Sequence, residues 1–243
     1  MTLDPIEFLN GIFSLILVAQ SIYVGLLIAS KYKKHKDRYL ILLGINTILL
    51  FEPWWPSSVS FLVVLITNEG LNLQMYLLIG NFLTPVALLI WLTIFTHFLY
   101  QDHQMKILII ASIISVLYEI AFFYYLFTDP DSLGVLKGFV DIEYKSFVLG
   151  FLTGCMLVLL VTGILLARAS ISFENPELKL KGKLMLIGFI SFVVGAALDT
   201  AIPLNPYTLP ITRIIIITSA LELYGGFILP EWMKKLFLKD ESP

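Results

Sequence analysis

Seven apolar runs of membrane-spanning length leave this chain little choice of fold. They cover residues 6–30, 39–66, 71–99, 106–127, 146–169, 183–203 and 210–230. A helix needs ~20 mostly apolar residues to cross ~30 Å of hydrocarbon, and within hydrocarbon an isolated segment satisfies its backbone only as a helix. With 58 % of the 243 residues hydrophobic and 14 % charged, no domain-sized stretch remains outside the runs. The expected fold class is all-α: a polytopic membrane protein forming a single seven-transmembrane-helix bundle, with residues 231–243 as a short tail. The same arithmetic excludes an appended kinase, ATPase or nucleic-acid-binding module.

The placement of charge orients the bundle. Of the 16 Lys and Arg residues, Lys31, Lys33, Lys34, Lys36 and Arg38 fall in the first connection and Lys106 in the third. Arg168, Lys179, Lys181 and Lys183 fall around the fifth, and Lys234, Lys235 and Lys239 in the tail. The opposite side holds only Lys137 and Lys145, while Arg213 lies within the seventh run. Because retained Lys and Arg set orientation, the N-terminus is expected outside and the tail in the cytoplasm of a cell membrane. No basic segment precedes the first run and no small-residue cleavage site follows it, so it reads as a true span.

Residues 129–145 make the longest outer connection, where Gly134 and Gly138 argue against regular helix, and residues 168–183 the longest inner one. Glu52-Pro53-Trp54-Trp55-Pro56 interrupts the second run, leaving residues 57–66 either as the end of a span or as an interfacial helix. Trp54 and Trp55 suit an outer aromatic belt. The stretches at residues 38–44 and 181–188 both enter a span from the basic side, and an acid near a proline follows each, Glu52 before Pro53 and Asp199 before Pro203. A three-plus-one-plus-three repeat, as in small sugar transporters, would produce this pattern; so would any two spans that begin basic.

Absences narrow the chemistry. A lone Cys155 and three histidines without an HExxH arrangement offer neither a thiolate nor a zinc site. Residues 210–230 contain no lysine for a retinal Schiff base. With no phosphate-binding glycine loop and no nucleophile beside a base, no enzyme activity, cofactor or metal is expected. Polar residues at membrane depth are costly and usually face the bundle interior. Glu52, Glu119, Asp199 and Arg213 fall in the outer half, and with Trp54 and Asn81 they form the candidate ligand-binding set. Such a pocket, with a surplus of acid, suits a cationic or hydrogen-bonding small-molecule or lipid ligand. Glu222 lies deeper, near the level of Gln20 and Asn46; these three are candidates for interhelical hydrogen bonding or for coupling. Asp199 and Arg213 flank a short loop at similar depth and are expected to pair. Gly150-xxx-Gly154 is a close-packing motif that reads as an intramolecular contact, or alternatively as a homodimer face. Pro85 is expected to kink the third span beside Asn81 and Thr84.

Leu186-Ile187-Gly188, Gly195 with Asp199, Pro203, Pro210-Ile211-Thr212-Arg213 and Tyr224-Gly225-Gly226-Phe227-Ile228-Leu229-Pro230-Glu231-Trp232 resemble the closing two helices of seven-helix sensory regions. In many archaeal and bacterial proteins these precede PAS and histidine-kinase modules. The resemblance covers about the last fifty residues. It implies an all-helical sensor of an extracellular or lipid-borne cue and, with no transmitter sequence after Pro230, signalling through a separate cytoplasmic partner. The alternative reading is a small-solute or proton-coupled transporter.

Overall fold

A computed structural model describes residues 3–203 and 205–238. Among the described residues, seven helical stretches are long and apolar enough to cross a membrane: Pro5–His35, Tyr39–Thr67, Leu73–Leu99, Gln101–Thr128, Ser146–Ile171, Pro176–Ala201 and Thr208–Ile228. The chain is an all-α, multi-pass membrane protein with one short β-hairpin.

Local chemistry sets the helix starts. Asp4 caps α1 (Pro5–Ser30), its carboxylate accepting from the Ile6 and Glu7 amides, while Glu7 reaches back to the Asp4 amide in a capping box. The short α2 (Tyr32–His35) follows. The second and third spans are both broken. The second consists of α3 (Tyr39–Leu49), a 3-10 turn at Glu52–Trp54 and α4 (Trp55–Thr67); the third consists of α5 (Leu73–Asn81) and α6 (Thr84–Leu99). Pro85 stands in the first turn of α6, where its missing N–H costs nothing, so the expected kink is a full break. Residues 57–66 continue α4 and pack against α1 and α5.

The remaining helices are α7 (Gln104–Thr128), α8 (Ser146–Ile171), α9 (Pro176–Ala201), α10 (Thr208–Ile228) and α11 (Glu231–Phe237). Helix α9 begins seven residues before its apolar run, because Asn175 accepts from the Glu177 and Leu178 amides and Pro176 occupies the first helical position. Lys179, Lys181 and Lys183 therefore stand on a helix, and the expected loop over residues 168–183 shrinks to residues 172–175. Lys181 donates to the Phe227 carbonyl at the end of α10 (3.2 Å), and Lys234 pairs with Glu177. The tail is helical through α11; Lys239 and the rest of the tail lie outside the described residues.

Helix α1 packs on α3, α4 and α10; α9 packs on α10 and α8; α6 joins α3, α7 and α8. Glycine decides the tightest of these contacts. A Cβ on Gly44 of α3 would lie 2.4 Å from the Gly25 carbonyl oxygen of α1, and one on Gly226 of α10 would lie 2.8 Å from the Met185 amide nitrogen of α9. Gly150 and Gly154 do the opposite: among the described residues, nothing lies within 4 Å of a Cβ at either. The intramolecular contact expected of that motif is absent, and α8 turns it outward because its packed face carries Leu159, Gly163, Leu166 and Ala167 instead.

The connection over residues 129–145 folds into β1 (Gly134–Leu136) and β2 (Ile142–Tyr144), an antiparallel pair in which Val135 faces Glu143. Gly138 takes the turn at φ 75°. Leu133 and Val140 are fully buried. Three side chains tie the turn to the bundle: Glu7 accepts from the Phe139 amide (2.8 Å), Asn10 donates to the Val140 carbonyl (3.2 Å), and the Ser60 hydroxyl donates to the Phe139 carbonyl. The hairpin closes one end of the bundle. At the other end lies the basic first connection, where Tyr39 stacks on His97 with ring centroids 3.8 Å apart.

Candidate functional site

Beneath the hairpin is a cavity of about 730 Å³, within the range of small-molecule sites. Its upper wall is polar: Trp54, Ser57, Tyr76, Asp199 and Arg213 from four spans, with Lys137, Asp141, Glu143 and Tyr144 from the hairpin. Its lower wall is apolar, built around Leu88, Trp91, Leu159, Phe192 and Ala196, with Asn46 as a polar exception. The broken spans explain the space. Where the second and third spans are interrupted, between α3 and α4 and between α5 and α6, straight helical rods give way to turns, and the side chains of five spans converge on the gap.

A buried polar knot forms the upper wall. The Asp199 carboxylate lies 3.1 Å from the Arg213 Nε and accepts from the Thr212 hydroxyl (2.9 Å) and the Trp54 indole N–H (3.0 Å). Arg213, 2 % exposed, donates from Nη2 to Asn10 (2.9 Å), and its guanidinium carbon lies 5.8 Å from the Trp54 ring centre. The expected Asp199–Arg213 pair is thus present and extended. Among the described residues, Arg213 Nη1 and Asn46 Oδ1 are buried without a hydrogen-bond partner.

The candidate ligand-binding set divides. Trp54, Asp199 and Arg213 line the cavity together. Glu52, 1 % exposed, serves the scaffold: it accepts from the Leu83 amide (2.6 Å) and the Thr84 hydroxyl (2.9 Å), so an acid in the break of one span satisfies the open N-terminus of α6 in the other. Asn81 donates to the Leu77 carbonyl of its own helix (2.8 Å). Neither Glu52, Asn81 nor Glu119 lines the cavity. Of the deeper group, Asn46 forms part of the wall and Gln20 donates to the Ile217 carbonyl (2.8 Å). Glu222 lies outside the wall, with Oε2 unpartnered among the described residues.

Five participants escaped the sequence reading. Asn10 and Ser14 lie one turn apart, a polar pair that marks the inner face of the first span; that signal was available. Asp141, Tyr144 and Lys137 look like ordinary loop residues until the hairpin folds over the cavity. Burial pushes the Asp141 carboxyl up to about 6, against the opposing pull of the Ile142 amide and Arg213. Burial likewise raises the Tyr144 phenol. Lys137 and Glu143 pair at 2.8 Å, which raises the ammonium and lowers the carboxyl. No cluster of metal-ligating side chains occurs among the described residues. Compared with protein-family models, with curated proteins and with solved structures, the chain matches none of them.

Proposed function

We propose that this protein is a non-enzymatic membrane sensor, receptor-like in that a ligand held beneath the hairpin biases the bundle and a separate partner reads the result. The observation that carries this reading is the cavity: a space with a polar mouth, an apolar floor and, in its wall, an Asn46 amide oxygen without a partner among the described residues. The resemblance of the sixth and seventh spans to seven-helix sensory regions supports it. The basic residues at the end opposite the hairpin support an orientation with the hairpin outside and α11 in the cytoplasm. Binding biases the bundle only through differential affinity for two of its states, and a cavity walled by five spans gives a ligand such leverage. Mass spectrometry of the protein purified in nanodiscs tests the reading. One small molecule or lipid per chain is expected, displaced in Ala196→Phe or Ala87→Phe, each of which fills the cavity. Equal retention by both variants would overturn it.

The paired breaks in the second and third spans favour a second reading, since discontinuous helices commonly frame substrate sites in transporters. Flux of the copurifying compound in proteoliposomes, abolished in Asp199→Asn, would establish transport; ligand-induced stabilisation without flux leaves the sensor.

A further inference from the structure

Within the cavity wall, charge is balanced at every position but one. Lys137 faces Glu143 at 2.8 Å, and Arg213 faces Asp199 at 3.1 Å. Asp141, the fifth charged residue of the wall, has no ion-pair partner among the described residues; its carboxylate accepts only from the amide of its own neighbour, Ile142 (2.9 Å). Below it the wall offers two indoles, Trp54 and Trp91, and the ring of Phe192, then the aliphatic chamber down to Asn46. The protein thus presents one uncompensated carboxylate at the mouth of an apolar cavity, and at the far end a buried amide, 5 % exposed, whose oxygen has no donor.

We propose that the cavity binds a cationic amphiphile: an amine whose ammonium pairs with Asp141 and whose apolar body enters the chamber between Trp91, Phe192 and Leu159. This assignment rests on the reading of the cavity as a ligand site and names what fills it. The chemistry is that of charge complementarity at a partly desolvated mouth. An ammonium completes the third ion pair of the wall, and the aromatic faces beside its path are favourable ground for a cation. A carboxylate ligand could accept from Arg213 Nη1, which has no partner among the described residues, but it would enter a wall in which Asp141, Asp199 and Glu143 set three carboxylates against the two cations Lys137 and Arg213. An uncharged ligand would leave Asp141 unpaired. The Asn46 amide gives the far end of the body one hydrogen-bonding contact.

Protonation governs the site. The groups facing Asp141 are Lys137 on the hairpin, Arg213 on α10, Asp199 on α9, Tyr76 on α5, Tyr144 on β2, and Asp4 and Glu7 at the start of α1. Within this surround burial holds the Asp141 carboxyl at about 6. The ammonium therefore binds above that pH and is released as Asp141 takes up a proton.

Three probes on one skeleton test the proposal: 4-phenylbutylamine, 4-phenylbutanol and 4-phenylbutyrate, titrated into the full chain in nanodiscs. Quenching of indole fluorescence and the shift in melting temperature are both read. The amine is expected to bind at least tenfold more tightly than the alcohol at pH 7.5, and the carboxylate most weakly. Asp141→Asn should reduce the amine to the level of the alcohol without affecting the alcohol itself, and acidification to pH 5 should do the same to the wild type and nothing to the variant. Asn46→Leu should weaken amine and alcohol alike while preserving their ratio. Equal binding of amine and alcohol, or a preference that survives Asp141→Asn, overturns the cationic assignment while leaving the cavity as a ligand site. Binding of none of the three, together with a purified protein free of small molecules, overturns both.

Discussion

Two halves of the bundle treat glycine in opposite ways. Where α1 meets α3, and where α9 meets α10, a glycine on each helix brings backbones into contact: Gly25 with Gly44, and Gly188 and Gly226 against Leu223 and Met185. Where α7 meets the hairpin-side half of α8, the glycines at 150 and 154 face open space and the joint is aromatic, Tyr118 stacking on Phe151 at 3.7 Å; only the other half of α8 returns to glycine contacts, Gly163 against Phe189 and Gly182 of α9 against the Ala167 carbonyl. Close backbone approach fixes the first half as a rigid frame, since packed helices in hydrocarbon hold chiefly through such contacts. The chamber of about 730 Å³ opens between that half of α8, through Leu149, Leu152, Met156 and Leu159, and the facing walls of α3, α6, α9 and α10. The buried polar knot of Asp199, Arg213, Trp54 and Asn10 sits at the seam, Asn10 tying it to α1 while Trp54, Asp199 and Arg213 line the chamber.

The sharpest break in this comparison comes from the knot. Removing one member of a buried pair leaves the other charge uncompensated, at ~3–5 kcal/mol, so Arg213→Gln should lower the melting temperature in nanodiscs most of all. Asp199→Asn should cost less than that, because an amide oxygen still accepts from Trp54 or Thr212. The double variant should lose less than the two singles together; plain additivity would show that the pair is not coupled. Next comes Gly44→Ala, which drives a methyl into the Gly25 carbonyl and should cost ~1–3 kcal/mol by overpacking. Glu52→Ala should cost ~1–3 kcal/mol by stripping the Leu83 amide of its acceptor, and Glu52→Gln less, a difference that thermal unfolding resolves.

A smaller effect distinguishes the hairpin. A carboxyl raised from 3.8 to about 6 stabilises the docked state fully below pH 4, and that stabilisation is lost as the pH rises through about 6. After screening by solvent it is worth ~1–2 kcal/mol. Protection factors in residues 134–144, the exchange rates divided by the intrinsic rate at each pH, should therefore rise on acidification from pH 7.5 to 5, and protection unchanged by pH, or a rise that persists in Asp141→Asn, would remove Asp141 from the account. Smallest is Gly150→Ala, which meets no neighbour and should shift stability by no more than ~1 kcal/mol, upward through the gain in helix propensity. A loss as large as that of Gly44→Ala would show that the α8 face is covered after all.

The spans and the Asp199–Arg213 pair were legible because apolar length and matched depth are properties of the sequence itself. The break at Glu52 was legible from its prolines, but its purpose was not: the donors it satisfies, at Leu83 and Thr84, lie 31 and 32 residues away. Of the cavity, the polar wall of Trp54, Asp199 and Arg213 was legible, but the apolar floor left no trace in the sequence. Its floor is made of Leu, Phe and Ala from different helices, identical in pattern to residues that pack solidly elsewhere, and only the breaks in two adjacent spans separate them. Asp141 was invisible for a related reason, since a loop acid acquires meaning only when the loop folds inward.

The carboxylate of Glu7 serves two masters, capping α1 through the Asp4 amide and holding the hairpin turn through the Phe139 amide. Helix α1 has 26 residues and so is ~39 Å long, more than the ~30 Å of a typical hydrocarbon core. A helix of excess length tilts as the bilayer thins, and any tilt of α1 moves the carboxylate that grips the turn. Membrane thickness thereby becomes a mechanical input to the mouth of the cavity. It would be read as a difference in hairpin amide exchange between short-chain and long-chain lipid nanodiscs, and identical exchange in the two would show the linkage to be slack.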